Sequence, residues 1–353
     1  MTIKKKSLKG MPVRKKQFLA AWGKILTGKA PLLSIEITRE CPLRCLGCYA
    51  YEDNHLGGQI TLRQLSDMRG DDLVNGVIQL VKRQRPLQVS IVGGEPLIRH
   101  RELSRILPQL SKMGVSTLVV TSAVFAIPGE WKAIPNLRIA VSVDGLREDH
   151  DKRRYPATYD RILKNIEGLR IDISWVITAQ QMCRPGYLDE YLAFWSSILE
   201  VDRIWFSIYT PQVGECSDEI LSLEQRRELA QLLPELKRKY PPLLLTAGME
   251  ESIIAPPPSP EECVFSKMSV NYSADLKTRI EPCFFGGKPD CSQCGCAIST
   301  SLHRIGKKRL IGPLKINHVM KGSIAIGSLV NRLYSNAPEG IRWAQNRIAA
   351  RHK

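Results

Sequence analysis

The run Leu33-Ser34-Ile35-Glu36-Ile37 alternates apolar and polar side chains, the period of a half-buried strand. Five further apolar runs bounded by turn residues follow it. Strands are expected over residues 32–38, 87–92, 117–121, 138–143, 172–179 and 204–209. Between them, apolar residues recur three and four apart, which predicts helices over 61–82, 101–113, 159–169 and 188–199. The third and fourth strands are joined only by a short stretch, 129–134. Strand–helix alternation predicts a parallel sheet with crossover helices, an α/β class. Six strands fit a partial (β/α)6 TIM-like barrel, with chemistry expected at the carboxyl ends of the strands.

The pattern then breaks. Pro241-Pro242 and Ala255-Pro256-Pro257-Pro258-Ser259-Pro260 can continue neither a helix nor a central strand. Residues 31–245 are therefore expected as the barrel, 246–260 as a stiff linker and 261–300 as a small cysteine-rich module. Within that module, 270–272 and 277–281 are expected as a hairpin around Ser273-Ala274-Asp275. Residues 301–353 form a basic C-terminal part. Its stretch 311–333 carries too many charges to span a membrane, and is expected as a surface helix or as a helix closing the barrel or covering the second cysteine group. Residues 1–30 are a basic arm followed by a short amphipathic helix. Two readings stand for it: Trp22 packed on the barrel, or Phe18, Leu19, Trp22, Ile25 and Leu26 laid on a lipid surface. This apolar segment is too short for a transmembrane helix and lacks a signal-peptide cleavage site.

Charge narrows the partners. The formal net charge of +16 suits polyanions or anionic surfaces, such as acidic peptides, lipid heads or RNA. No aromatic-rich RNA platform stands out, and no DNA partner is expected. Cysteine content narrows the compartment. Eight of the ten cysteines fall in two tight groups, a pattern of metal sites and not of scattered disulfides, so a reducing cytoplasm, with or without membrane association, is expected.

The first group is Cys41, Cys45 and Cys48, a C-x3-C-x2-C loop directly after the first strand. Such a loop can wrap three thiolates round one corner of a [4Fe–4S] cubane and leave one iron open. The competing reading is a zinc knuckle, which wants four ligands and finds only His55 nearby. The second group, Cys263, Cys283, Cys291, Cys294 and Cys296, places five thiols in thirty-four residues. Structural zinc and a second iron–sulfur cluster both remain open for it on spacing.

The first loop resembles the cluster loop of the radical S-adenosylmethionine (radical SAM) superfamily. Gly93-Gly94-Glu95-Pro96 at the end of the second strand resembles that family's GGEP motif. Ser122 stands at the end of the third strand, where the family commonly has Thr-Asn-Gly, and Ser142-Val143-Asp144-Gly145 resembles its Ser-x-Asp-Gly. The family usually carries an aromatic residue just before the third cysteine; here that residue is Gly47, with Tyr49 just after the loop. The resemblance implies that Cys41, Cys45 and Cys48 hold a [4Fe–4S] cluster binding S-adenosylmethionine. It implies that Gly93, Gly94, Glu95 and Pro96 meet the amino end. Ser122, Ser142, Asp144 and Thr178 are expected about the ribose, carboxylate or adenosine, with Tyr49 near the adenine. It also implies an electron donor such as flavodoxin or ferredoxin.

The second group resembles the auxiliary-cluster extensions called SPASM and Twitch, although the hairpin glycine is missing and five cysteines stand where full SPASM has seven. One auxiliary [4Fe–4S] cluster is the resulting expectation, on Cys263, Cys283, Cys291 and Cys294, with Cys296 as substitute or spare. The function implied is hydrogen abstraction by a 5′-deoxyadenosyl radical, directed at a peptide or protein. A membrane lipid or isoprenoid is the alternative substrate, and a non-catalytic zinc protein that associates with nucleic acid is the alternative of another class.

Overall fold

The computed structural model describes residues 15–51, 55–57, 64–156, 158–312 and 314–335. The expectations on residues 1–14, 61–63 and 336–353, and on the side chains of Phe18 and Leu19, lie outside them. All six expected strands form: β1 (Leu32–Glu36), β2 (Gln88–Val92), β3 (Ser116–Thr121), β4 (Leu137–Ser142), β5 (Ile171–Ile177) and β6 (Val201–Ile208). A seventh, β7 (Ser269–Tyr272), joins them in one sheet of order β6-β5-β4-β3-β2-β1-β7. Every pair is parallel, so all the carboxyl ends lie on one rim. This is the α/β partial barrel, with an extra strand at its open edge.

The helices are α1 (Lys15–Leu26), α2 (Gly70–Gln84), α3 (His100–Lys112), α4 (Arg147–Arg153), α5 (Tyr159–Ile166), α6 (Ala179–Met182), α7 (Tyr187–Ser197), α8 (Leu223–Lys239), α9 (Met249–Ile254), α10 (Val264–Met268), α11 (Ala297–Lys307) and α12 (Ile316–Ser335). The third and fourth strands are joined by a 3-10 turn over Gly129–Ala133, the short link the sequence allows. Its Trp131 is buried and donates to Ser104 Oγ at 2.8 Å. Helices α2, α3, α5 and α7 each bury one apolar stripe beneath the sheet. Around α7 the core is aromatic: Trp175 stacks on Tyr191 at 4.0 Å, and Trp195 packs edge-on to Tyr159 at 5.6 Å.

Three expectations are corrected. The helix expected from 61 begins at Gly70, because Asp67 is drawn out of the helical register by the first cysteine loop. The stretch expected as a linker holds α9, whose Met249 and Ile253 reach the main core. The expected hairpin does not form as such: its first half is β7, paired with β1, and its second half keeps a single bridge, Tyr272 to Arg279. A strand only four residues long gains more by completing the ladder along β1 than by pairing with its sequence neighbour.

The two ends of the chain meet. Gly327 of α12 lies so close to α1 that an added Cβ would fall 1.9 Å from Ile25 O. Trp22 Nε1 donates to Ser323 Oγ at 3.0 Å, so Trp22 packs on α12, a contact neither expected reading contained. Among the described residues no helix is long and apolar enough to cross a membrane.

Removing the indole at the centre of the aromatic core tests this packing. Trp195→Ala should lower unfolding free energy by about 3–5 kcal/mol, read as a lower urea midpoint with an unchanged slope.

Candidate active site

The first cysteine loop leaves β1 and is fixed from three sides. Asp67 accepts from Thr38 Oγ1 at 2.6 Å, from the Arg39 amide at 2.9 Å and from Arg39 Nε at 2.7 Å. The Arg44 amide donates to Tyr155 O at 2.7 Å and the Leu46 amide to Arg153 O at 2.9 Å. From the second strand, the Gly94 amide donates to Thr38 O at 2.7 Å and the Glu95 amide to Glu40 O at 2.8 Å. A Cβ at Gly93 would lie 2.3 Å from Thr38 O, and one at Gly94 2.2 Å from Glu40 O. Both glycines are thus required by close backbone approach, and the approaching group is the cysteine loop itself.

The three thiols lie near enough for charge on one to act on another. Burial, aided by negative charge on Cys45, Glu95 and Cys48 and opposed by a backbone hydrogen bond from Leu43, pushes Cys41 up to about 11. Burial also raises Cys48, as would charge on Cys45, against a downward pull from Arg154 and Arg153. Such thiols stay protonated unless a cationic centre takes the proton's place, which suits metal ligands. Among the described residues no group of three His, Cys, Asp or Glu closes round a point that one metal ion could occupy. His55 is not placed as a fourth ligand. Its Nε2 meets Glu36 Oε1 at 2.7 Å and its Nδ1 meets Phe285 O at 2.8 Å. A cubane spreads its thiolates over separate irons and asks for a wider ring than a single zinc ion.

Around this loop stand the other expected residues, and the structure gives several a different employment. Glu95 is wholly buried. Its Oε1 accepts from the Leu97 amide at 2.9 Å and Thr121 Oγ1 at 2.5 Å; its Oε2 accepts from the Ser122 amide at 2.8 Å and from Ser122 Oγ. Four donors fill a carboxylate's capacity, so Glu95, with Ser122, clamps the ends of β2 and β3 together, while Ser122 Oγ keeps its acceptor lone pairs. Pro96 is buried at the start of the following 3-10 turn. Ser142 is buried at the end of β4 and Thr178 just beyond the end of β5.

Asp144 is buried beneath the loop. Its Oδ2 accepts from Arg153 Nη1 at 2.5 Å and Arg154 Nε at 2.7 Å, and its Oδ1 from the Val176 amide at 3.0 Å. Burial alone would raise its pKa, but Arg154 and Arg153 outweigh it and hold the carboxyl at about 2. Arg153 also grips Glu219 through two bonds of 2.7 and 2.8 Å. The charged run 149–154 therefore folds inward: Arg153 at the end of α4 and its C-cap Arg154 carry two guanidinium groups to the floor under Cys45 and Cys48. Gln181, which sequence reading missed, ties Trp175 Nε1 to Asp144 O.

Two aromatic residues complete the rim. Tyr49 does not stand free: its ring lies 5.3 Å from Phe285, 5.8 Å from Phe284 and 5.7 Å from His55. Tyr209, beyond β6, presses on Gly47, where a Cβ would fall 2.5 Å from its ring.

The second group meets the same rim. Cys263, Cys283, Cys291, Cys294 and Cys296 line one apolar cavity together with Phe265, Phe285 and several prolines. Burial pushes Cys283 and Cys291 up to about 12, and raises Cys294 and Cys296 as well; each would also be raised by charge on its neighbours. The loop after Cys294 docks on β6, with a Cβ at Gly295 falling 2.2 Å from Ile208 O. The loop after Cys283 docks on the first group through Tyr49 and His55.

Fold and site together define a parallel-stranded partial barrel with two groups of thiols at its strand ends. Residues 35–192 match the Radical SAM superfamily. Over that stretch the chain carries a Radical SAM domain, a family whose members use a [4Fe–4S] cluster and S-adenosylmethionine. It is 25% identical to the Fe-coproporphyrin III synthase of Methanosarcina barkeri over 227 residues, 60% of this chain and 52% of that one. The chain thus spans about half the length of that curated relative. Solved structures share the fold: anSMEcpe with bound AdoMet (TM-score 0.55, 14% identity, 83% of this chain and 84% of that) and Streptococcus suis SuiB bound to precursor peptide SuiA (TM-score 0.52, 16% identity, 73% and 61%).

The Asp144 floor makes acid stability informative. A carboxyl held at about 2 stabilises the fold above the ordinary carboxylate pKa near 4, and that contribution, roughly 2 kcal/mol, is lost as pH falls from 4 towards 2. Asp144→Asn should be less stable at neutral pH and should show a shallower loss across that window, as followed by circular dichroism.

Proposed function

We propose that Cys41, Cys45 and Cys48 hold the catalytic cluster and that the second thiol group holds one auxiliary [4Fe–4S] cluster, making this chain a radical SAM enzyme with a SPASM/Twitch-like extension. The observation that carries this reading is the convergence of five thiols, two of them buried and three half-buried, on one apolar cavity, at the same rim as the first three. When bound, the first cluster supplies the electron that splits S-adenosylmethionine into methionine and a radical able to take hydrogen from substrate. The chain's own residues do the rest. Arg153 and Arg154, paired with Asp144 and Glu219, brace the floor beneath the thiols. The Glu95 clamp and the Gly93-Gly94 contact hold the rim rigid. Tyr209, Tyr49 and the two phenylalanines shield it from water. Ser142 and Thr178 remain the polar side chains offered to the nucleotide, with the backbone of 93–96 offered to its amino end. Four cysteines suffice for a closed auxiliary cluster, and Cys263, Cys283, Cys291 and Cys294 are assigned to it.

A peptide is the favoured substrate, on the likeness to SuiB with its bound precursor peptide. A carboxylate-rich tetrapyrrole is the second reading. It is favoured by the name of the Methanosarcina barkeri relative and by the net charge of +16.

Anaerobic reconstitution tests the cofactor assignment. The wild-type chain should bind about eight irons. Replacing Cys41, Cys45 and Cys48 with alanine should leave about four and abolish 5′-deoxyadenosine formation; Cys291→Ala with Cys294→Ala should remove the other four. Cys296→Ala should keep all eight. A colourless chain that binds zinc would overturn the reading.

Consumption of a peptide panel against coproporphyrin-type tetrapyrroles, each with reductant and S-adenosylmethionine, then decides the substrate class. Turnover of the peptide alone is the expected result, and turnover of the tetrapyrrole alone selects the second reading.

A further inference from the structure

Arg226 stands one residue past the capping box that starts α8, in which Ser222 Oγ accepts from the Gln225 amide and Gln225 Oε1 accepts from the Ser222 amide. A lone arginine in the first turn of a helix is normally a solvated side chain. This one is 4% exposed. Nη1 donates to Ile253 O at 3.0 Å and to Cys294 O at 3.5 Å, and Nη2 donates to Gln293 O. The last two carbonyls belong to the Cys291–Cys294 loop, so the guanidinium lies against the wall of the thiol cavity. Among the described residues no carboxylate comes within ion-pairing distance of it. The acid of that loop, Asp290, is turned to its own loop, accepting from the Ser292 amide at 3.0 Å, Ser292 Oγ at 2.5 Å and Gln293 Nε2 at 2.9 Å.

A buried cation answered only by carbonyl dipoles is costly unless an anion shares its surroundings. Four thiolates on a [4Fe–4S] core make such an anion, and reduction adds one more negative charge. A fixed cation in a dry cavity wall therefore stabilises the reduced form more than the oxidised one. We infer that Arg226 is the counter-charge of the second cysteine centre and holds its reduction potential up. The inference rests on the reading that this centre is a cluster. A raised potential makes the centre an electron acceptor in preference to a donor.

The experiment is a redox titration of the reconstituted full chain followed by electron paramagnetic resonance, comparing wild type with Arg226→Gln and Arg226→Lys. Iron content is measured on each sample. Arg226→Gln should keep its iron and shift the second centre's reduction equilibrium about tenfold towards the oxidised form, about 59 mV for a one-electron couple. Arg226→Lys, which keeps the charge, should stay close to wild type, and the first centre should not move in either variant. An unshifted Gln variant overturns the inference. So does a Lys variant that shifts with Gln, or iron loss in both, since the guanidinium would then only brace the loop. A wild-type chain with about four irons would instead reject the auxiliary-cluster reading itself.

Discussion

Glu36, His55 and the carbonyl of Phe285 form the buried bridge on which both cysteine groups depend. His55 lies between the carboxylate at the end of β1 and the main chain that follows Cys283. The other oxygen of Glu36 accepts from Ser273 at 2.9 Å, just past β7. Burial works against a charge on His55, but the bond and charge of Glu36 raise its pKa, so the link is an ion-assisted one in a dry setting. Gly286 lets it close, because a Cβ there would fall 2.1 Å from His55 O. The strand that launches the first thiol loop is thereby locked to the loop that carries the second.

From that lock the rest of the rim follows. Tyr49, immediately after Cys48, is enclosed by His55, Phe284 and Phe285, so the exit of the first loop is packed on the second. On the far side, Tyr209 leaves β6 beneath Gly47 while Gly295 docks on Ile208, so one strand end touches both groups. Beneath them, Asp144, Arg153, Arg154 and Glu219 form a charged floor whose members satisfy one another. The segment after residue 245 packs on the barrel, since β7 extends the sheet along β1 and α9 enters the core.

Much of this was legible in the residues. The six strands were, because alternation and short apolar runs report a half-buried or buried sheet directly. The start of α2 was not, because Asp67 answers the Arg39 side chain, a contact with no local signature. Gly93 and Gly94 announced a close approach, yet only coordinates could show that the approaching atoms are Thr38 O and Glu40 O. Glu95 read as a ligand residue, and its saturation by Thr121, Ser122 and Leu97 could not be foreseen from spacing. The run 149–154 read equally well as a solvated face. Arg226 and Glu219 gave no sign at all, since a single charged residue in a helix or loop says nothing of what folds over it.

The central claim is that thiols more than two hundred positions apart in sequence form two neighbouring centres on one rim, joined through Tyr49, His55 and Phe285. The most direct measurement is electron paramagnetic resonance of the fully reduced, reconstituted chain. Magnetic interaction between the two centres, seen as broadening or splitting that vanishes when either cysteine group is replaced, is the predicted result. A spectrum equal to the plain sum of the two singly occupied variants would contradict the account.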